Sequence, residues 1–220
     1  MDPCLICKHT NRTDRLAEKL LAGLFAAVLM FSISASRAGE VEFPTTALTT
    51  SELKSLEQPR ILPRAETYLQ EPPVTVTAYR AARSKGGVHD FYSEGDYWWP
   101  NPDDPDGPYI RRDGLSNPDN FVAHRRAMVR LSSIVGTLTS AYLISGDDRF
   151  AYHAGEHLDA WFIDPATRMN PSLNYGQAIK GKVDGRSIGI IDTIHLVEVA
   201  RGAQVLGKLG VLSEAHLSGV

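Results

Sequence analysis

The sequence Tyr97-Trp98-Trp99-Pro100-Asn101 sets flat rings beside an amide, with Asp103, Asp104 and Asp106 close behind. Sugar sites use this pairing, because pyranose C–H faces stack on rings while hydroxyls bond to amides and carboxylates. The same rings would also pin a long loop to its scaffold, so the expectation is one indole turned inward and one toward a ligand. Arg111 and Arg112 follow. A guanidinium grips a carboxylate with two parallel bonds, which suits an acidic substrate; ion pairs with Asp103, Asp104 and Asp106 are the alternative. His124 falls in the first turn of an expected helix, where the dipole favours the neutral imidazole that can take or give a proton. A bond to the preceding loop would account for it equally well. Asn174, Tyr175, Gln177 and Arg186 form a second set of amides, a phenol and a guanidinium.

Other chemistries lack their residues. There is no nucleophile elbow, phosphate-binding loop or dinucleotide glycine pattern, and the KGKVDGRSIG stretch is too irregular to cradle phosphate. His153 and His157 stand at i and i+4 without the glutamate of a metalloprotease helix, so a solvated helix face is expected there. The aspartate-rich turn from Asp103 does not have EF-hand spacing. Cys4 and Cys7 have no second pair of ligands at zinc-site spacing.

The elements that must carry these residues are helical. Prolines at 44, 59, 63, 72 and 73 are expected to break any long element before Val76, leaving short helices such as Thr50 to Leu56 with Thr50 or Ser51 as cap. Lys85 to Pro118 reads as one long ordered loop, since its Gly, Pro, Asn and Asp are interleaved with aromatics that disordered segments lack. Asp119 or Asn120 is expected to cap a helix whose Phe121, Met128, Leu131, Val135, Leu138 and Tyr142 recur at helical spacing, ending at Ser145-Gly146. Asp147 caps a second, running through Phe150, Ala154, His157, Leu158, Trp161 and Phe162 to Asp164-Pro165. A third spans about Ile190 to Leu206, and Ser213 starts a fourth. The fold class is all-α.

Residues 1–38 have the form of a signal peptide: Lys8, Arg12, Arg15 and Lys19, then the apolar run Leu20 to Phe31, then small residues. Cleavage after Ala35 or Ala38 would remove both cysteines and leave an exported, periplasmic or secreted protein without stable membrane insertion. Residues 39–78 are an N-terminal extension and 79–220 the main domain. With 220 residues and a net charge of −3, the chain offers no basic field for nucleic acid.

Five stretches together are distinctive: DFYSEGDYWWPNPDDPDGPYIRRDG from Asp90, SNPDNFVAHR from Ser116, YLISGDDRF from Tyr142, MNPSLNYGQA from Met169 and GRSIGIIDT from Gly185. Over about Tyr79 to Leu206 the chain resembles the N-terminal half of the alginate lyase-like polysaccharide lyases. The resemblance implies a partial (α/α) toroid with long ordered loops and β-elimination on an acidic polysaccharide, with no metal or organic cofactor. That reaction needs the C5 carboxylate neutralised, a base for the C5 proton and an acid for the departing O4. By motif position, Tyr97, His124 and Arg112 are the catalytic candidates, and Trp98, Trp99, Asn101, Arg111, Asn174, Tyr175, Gln177 and Arg186 the substrate-binding ones. The family's later Asn-Asn-His motif has no counterpart. A C-terminally truncated domain with weak or no activity is therefore expected. Glucuronan lyase on the same scaffold, a non-catalytic acidic-glycan-binding protein, and a hydrolase using two of Asp103, Asp104, Asp106 and Asp113 are the competing readings.

Overall fold

The computed structural model describes residues 47–212. The signal peptide, both cysteines and the helix expected from Ser213 lie outside the described residues.

Helix α1 spans Thr50–Tyr68, far longer than the prolines suggested. Thr49, one residue before the expected caps, closes a capping box with Glu52. Pro59 and Pro63 lie inside the helix on its solvent side. Water can therefore serve the carbonyls whose N–H partners the prolines remove, while Ile61, Ala65 and Tyr68 face the core.

Helix α2, Ala123–Ser145, is the central element and packs against the other three helices. Met128, Leu131, Val135 and Leu138 are at most 1% exposed, as their spacing predicts. The helix starts later than expected. Asp119 N–H donates to Asn117 Oδ1 in a turn and Phe121 N–H to Glu94 Oε2, and the N-cap is Val122, which makes no side-chain capping bond, so neither Asp119 nor Asn120 is the expected cap. Gly146, in the left-handed region at φ 73°, ends it.

Asp147 caps α3, Asp148–Leu158, which runs on through a π turn, Asp159–Ile163, before Asp164-Pro165. Trp161 is 1% exposed and donates its indole N–H to Val74 O at 3.0 Å, tying the segment after α1 to this helix. The expected third helix divides into a 3-10 turn, Ser187–Thr193, and α4, Leu196–Lys208. At Gly202 a Cβ would lie 2.8 Å from Val135 Cγ1, which shows how closely α4 approaches α2.

The two loops contain short strands: β1 Tyr92–Glu94, β2 Trp98–Trp99, β3 Ile110–Arg111 and β4 Tyr175–Ala178. β1 pairs parallel with β4, joining the two predicted loops, and β2 pairs antiparallel with β3 with Trp98 opposite Arg111. Periodicity does not reveal strands of two to four residues.

Candidate functional site

The β2–β3 ribbon sorts the aromatic cluster by face, because neighbouring side chains on a strand point oppositely. On one face the Arg112 guanidinium lies 5.4 Å from the Trp99 ring centre, and the Trp99 indole donates to Leu115 O at 2.7 Å. Trp99 and Arg112 thus brace the ribbon. Tyr97 is 42% exposed, and its backbone carbonyl accepts the Arg112 N–H. On the other face Lys182 Nζ lies 5.5 Å from the Trp98 ring centre. Both indoles are half-buried, so the expected division into one inward and one outward ring gives way to two opposite faces. Arg111 pairs with Asp113 rather than with Asp103, Asp104 or Asp106. Asn101 closes the turn before Asp104, its side chain accepting Asp103 N–H.

Trp98 and Arg186 meet above Gly95. A Cβ there would stand 2.7 Å from both Arg186 Nη2 and Trp98 Cδ1. Gly95→Ala should therefore push the guanidinium and the indole off their positions and cost about 1–3 kcal/mol. A changed near-UV circular dichroism spectrum together with a lowered melting temperature is the expected result; an unchanged spectrum would show that the two groups do not meet there.

Arg186 is held by neutral oxygens. Its Nε–H donates to Gln177 O at 2.7 Å and its Nη2 to Gln177 Oε1 at 3.2 Å. Gln177 itself sits at φ 55°, in the left-handed region that a side-chain-bearing residue occupies only when its surroundings hold it there. Its N–H donates to Ser93 Oγ at 2.7 Å, and its side-chain amide donates to both oxygens of Asp192 at 3.2 Å. Ser93 Oγ–H donates to Asp192 Oδ2, and Arg125 Nε lies 3.0 Å from Asp192 Oδ1 as an ion pair without hydrogen-bond alignment. Ser93, Gln177 and Asp192 are all buried. Sequence reasoning missed Ser93, Arg125 and Asp192; the only signal was a charged residue set among apolar ones in SIGIIDT.

Beside this network is a basic cleft of about 490 Å³ lined by Arg83, Lys85, Tyr92, Lys180, Lys182 and Asp184. Arg83 is committed to Glu94 and Lys85 to Asp184. Among the described residues, Lys180, Lys182 and Arg186 have no carboxylate within ion-pair reach. Lys182 thus stands over the Trp98 ring and Arg186 beside it, while Lys180 lies over the Tyr109 ring at 5.6 Å.

His124 lies elsewhere. It is 3% exposed, its Nδ1 accepts the Tyr92 N–H at 3.0 Å, and its Nε2 bonds to Tyr79 O at 3.0 Å. A carbonyl only accepts and an N–H only donates, so the ring is neutral with its proton on Nε2. Burial holds its pKa below the ordinary histidine value, although backbone bonds from Tyr79 and Val76 pull it upward. This geometry gives His124 the loop-holding role that was the alternative in its sequence. Tyr175 stands opposite Tyr92 across the parallel pair, with its ring against Gly86, and Asn174 is exposed beside Gly185. The structure thus gathers Trp98, Gln177 and Arg186, with Arg111 across the strand from Trp98, and leaves His124, Asn174 and Tyr175 apart.

His153 and His157 do not form the solvated face expected of them. His157 is 1% exposed, and both Nε2 atoms bond to Glu71 O, at 3.0 and 3.2 Å. Among the described residues no group of three or more His, Cys, Asp or Glu could hold a metal ion.

The comparisons with known proteins agree with one another. The sequence model of the family described as Alginate lyase matches residues 75–218. No curated protein matches the chain. A solved structure, the crystal structure of an alginate lyase from Bacteroides ovatus, is 35% identical with a TM-score of 0.67, over 78% of this chain and 45% of that one. The chain spans less than half the length of that relative. With a family match across most of its length and a similar fold, this chain belongs to the alginate lyase family.

Proposed function

We propose that the chain carries the acidic-glycan-binding part of a polysaccharide lyase that cleaves a polyuronate by β-elimination, on a partial (α/α) toroid in an exported protein. The observation that carries this reading is the pair of cations at Trp98: Arg186 beside the half-buried indole and Lys182 over its ring, both without carboxylate partners among the described residues. A polyuronate repeats a flat sugar face and a carboxylate along its length, which matches a ring flanked by cations. Arg186 neutralises a uronate carboxylate, Trp98 stacks on the sugar, and Arg111 with Asn101 borders the same ribbon. Tyr97, exposed and next to Trp98 in the chain, is the proton-transfer candidate, with Arg112 holding its backbone carbonyl. Alginate is the simplest substrate, and glucuronan fits the same chemistry. A binding role without catalysis is the second reading, favoured by the engagement of both His124 nitrogens with backbone.

Titration with manno-, gulo- and glucuronate oligosaccharides, followed by tryptophan fluorescence, tests the site. Arg186→Ala and Trp98→Ala are each expected to weaken binding about tenfold or more. Equal affinity for the carboxyl-reduced, neutral oligosaccharide would sink the acidic-glycan reading. Absorbance of an unsaturated uronate product separates the lyase from the binder.

A further inference from the structure

Asp192 is buried beneath the cation cluster, outside contact with any ligand on Trp98, yet it is bonded to the residue that holds Arg186. The Gln177 side chain has one donating and one accepting end. A carboxylate below can only accept and a guanidinium above can only donate, so the amide between them has a single allowed orientation: Nε2 toward Asp192 and Oε1 toward Arg186. Ser93 reinforces this by donating to Asp192 while accepting the Gln177 backbone N–H, which keeps Gln177 at its unusual φ of 55°. Arg125 supplies the counter-charge to the buried Asp192 at 3.0 Å. Arg125 is shared between Asp192 and Asp96, to which its Nη1 donates at 2.9 Å, and Arg186 itself is bonded only to the neutral oxygens of Gln177.

We propose that Asp192 is a positioning residue that acts through the Gln177 amide to aim the Arg186 guanidinium at a uronate carboxylate beside Trp98. The proposal rests on the acidic-glycan reading above for the identity of the ligand, and on the hydrogen-bond chain alone for the placement of Arg186. Loss of the Asp192 carboxylate frees the Gln177 amide to turn, and a turned amide presents its NH₂ to Arg186, donor against donor. The guanidinium then leaves its place over Gly95.

Two readouts on the full chain test this. The first needs no ligand: the Arg186 Nε–H resonance, held by Gln177 O, is expected to be sharp and slow to exchange in the parent and shifted and at least about tenfold faster exchanging in Asp192→Asn. The second is affinity for a tetramannuronate and for its carboxyl-reduced form. Asp192→Asn is expected to weaken the acidic ligand about tenfold and leave the neutral one unchanged, where a loss of fold would weaken both. If Asp192→Asn does not fold, Gln177→Leu keeps Asp192 with Ser93 and Arg125 while removing the relay, and the same two changes are expected. An unaltered Arg186 resonance in the variant overturns the positioning role even if Arg186→Ala abolishes binding. Absence of any oligouronate binding by the parent counts against the acidic-glycan reading, and the resonance still decides the role of Asp192.

Discussion

Replacing Glu94 with alanine is expected to destabilise the fold by about 3 kcal/mol, seen as a melting temperature lower by roughly 10 °C. Glu94 is 4% exposed and gathers four donors. Arg83 Nε and Nη2 each approach at 2.5 Å, the Tyr92 hydroxyl at 2.9 Å and Phe121 N–H at 2.6 Å. Burial by itself would raise the carboxyl's pKa, yet the bonds from Arg83, Phe121 and Tyr92 outweigh it and hold the value below the ordinary carboxylate range. Removing the acceptor strands a buried phenol and the N–H next to the start of α2, and leaves a partly buried guanidinium without its charge. Arg83 keeps some contact with water, which limits the cost to the lower part of the range for broken buried pairs. Exposed pairs behave differently. Arg149 with Asp147 and Glu66 has the same charges, but Asp147→Ala should destabilise far less than the Glu94 variant, mostly as a lost α3 cap. A Glu94 variant that melts within about 2 °C of the parent would show that the carboxylate does not join the aromatic loop to α2.

Acid should destabilise the fold before most carboxylates titrate. Burial, the neighbouring His153 and Arg130 push His157 down to about 4 from 6.5, with Glu156 opposing. A histidine whose folded pKa lies below its unfolded value binds fewer protons when folded. Its contribution is therefore complete above pH 6.5 and is lost as pH falls toward 4. Over that window the loss amounts to about 3 kcal/mol, a slope of about 1.4 kcal/mol per pH unit from this one group. His124, also shifted downward by burial, adds in the same direction. Glu94, with its lowered pKa, adds a further loss only as pH falls below the ordinary glutamate value. Urea unfolding at a series of pH values measures the slope. His157→Gln keeps a side-chain N–H for the Glu71 carbonyl and removes the titration, so its stability curve should be flatter by about one proton between those limits. Identical slopes for parent and variant would mean that His157 is not buried against Glu71.

Much of the scaffold was legible along the chain. Met128, Leu131, Val135 and Leu138 recur at helical spacing and all are buried, and Asp147 and Asp164-Pro165 marked the ends of the second helical segment correctly, because periodicity, caps and proline act over a few residues. α1 was not legible: its prolines argue against a helix, and only the solvent on their side makes them tolerable. The start of α2 was misplaced because residues 117–121 are held in a turn before it, Asp119 N–H to Asn117 Oδ1 and Phe121 N–H to Glu94 Oε2, 27 residues away.

The site divides in the same way. Residue types and motif position alone made Trp98, Gln177 and Arg186 candidates for binding an acidic sugar, since rings can stack on sugars and guanidinium groups can pair with carboxylates. Which of the eleven named candidates share a surface was decided by two pairings between distant segments, β1 with β4 and β2 with β3. Those pairings put Trp98 and Arg186 over Gly95 and sent Trp99 with Arg112 to the other face of the ribbon. They also gave His124 two backbone partners, Tyr92 N–H and Tyr79 O. Asp192 became part of the site for the same reason: hydrogen bonds to Ser93, 99 residues away, and Gln177, 15 residues away, exist only once the chain has closed on itself, and no local pattern encodes them.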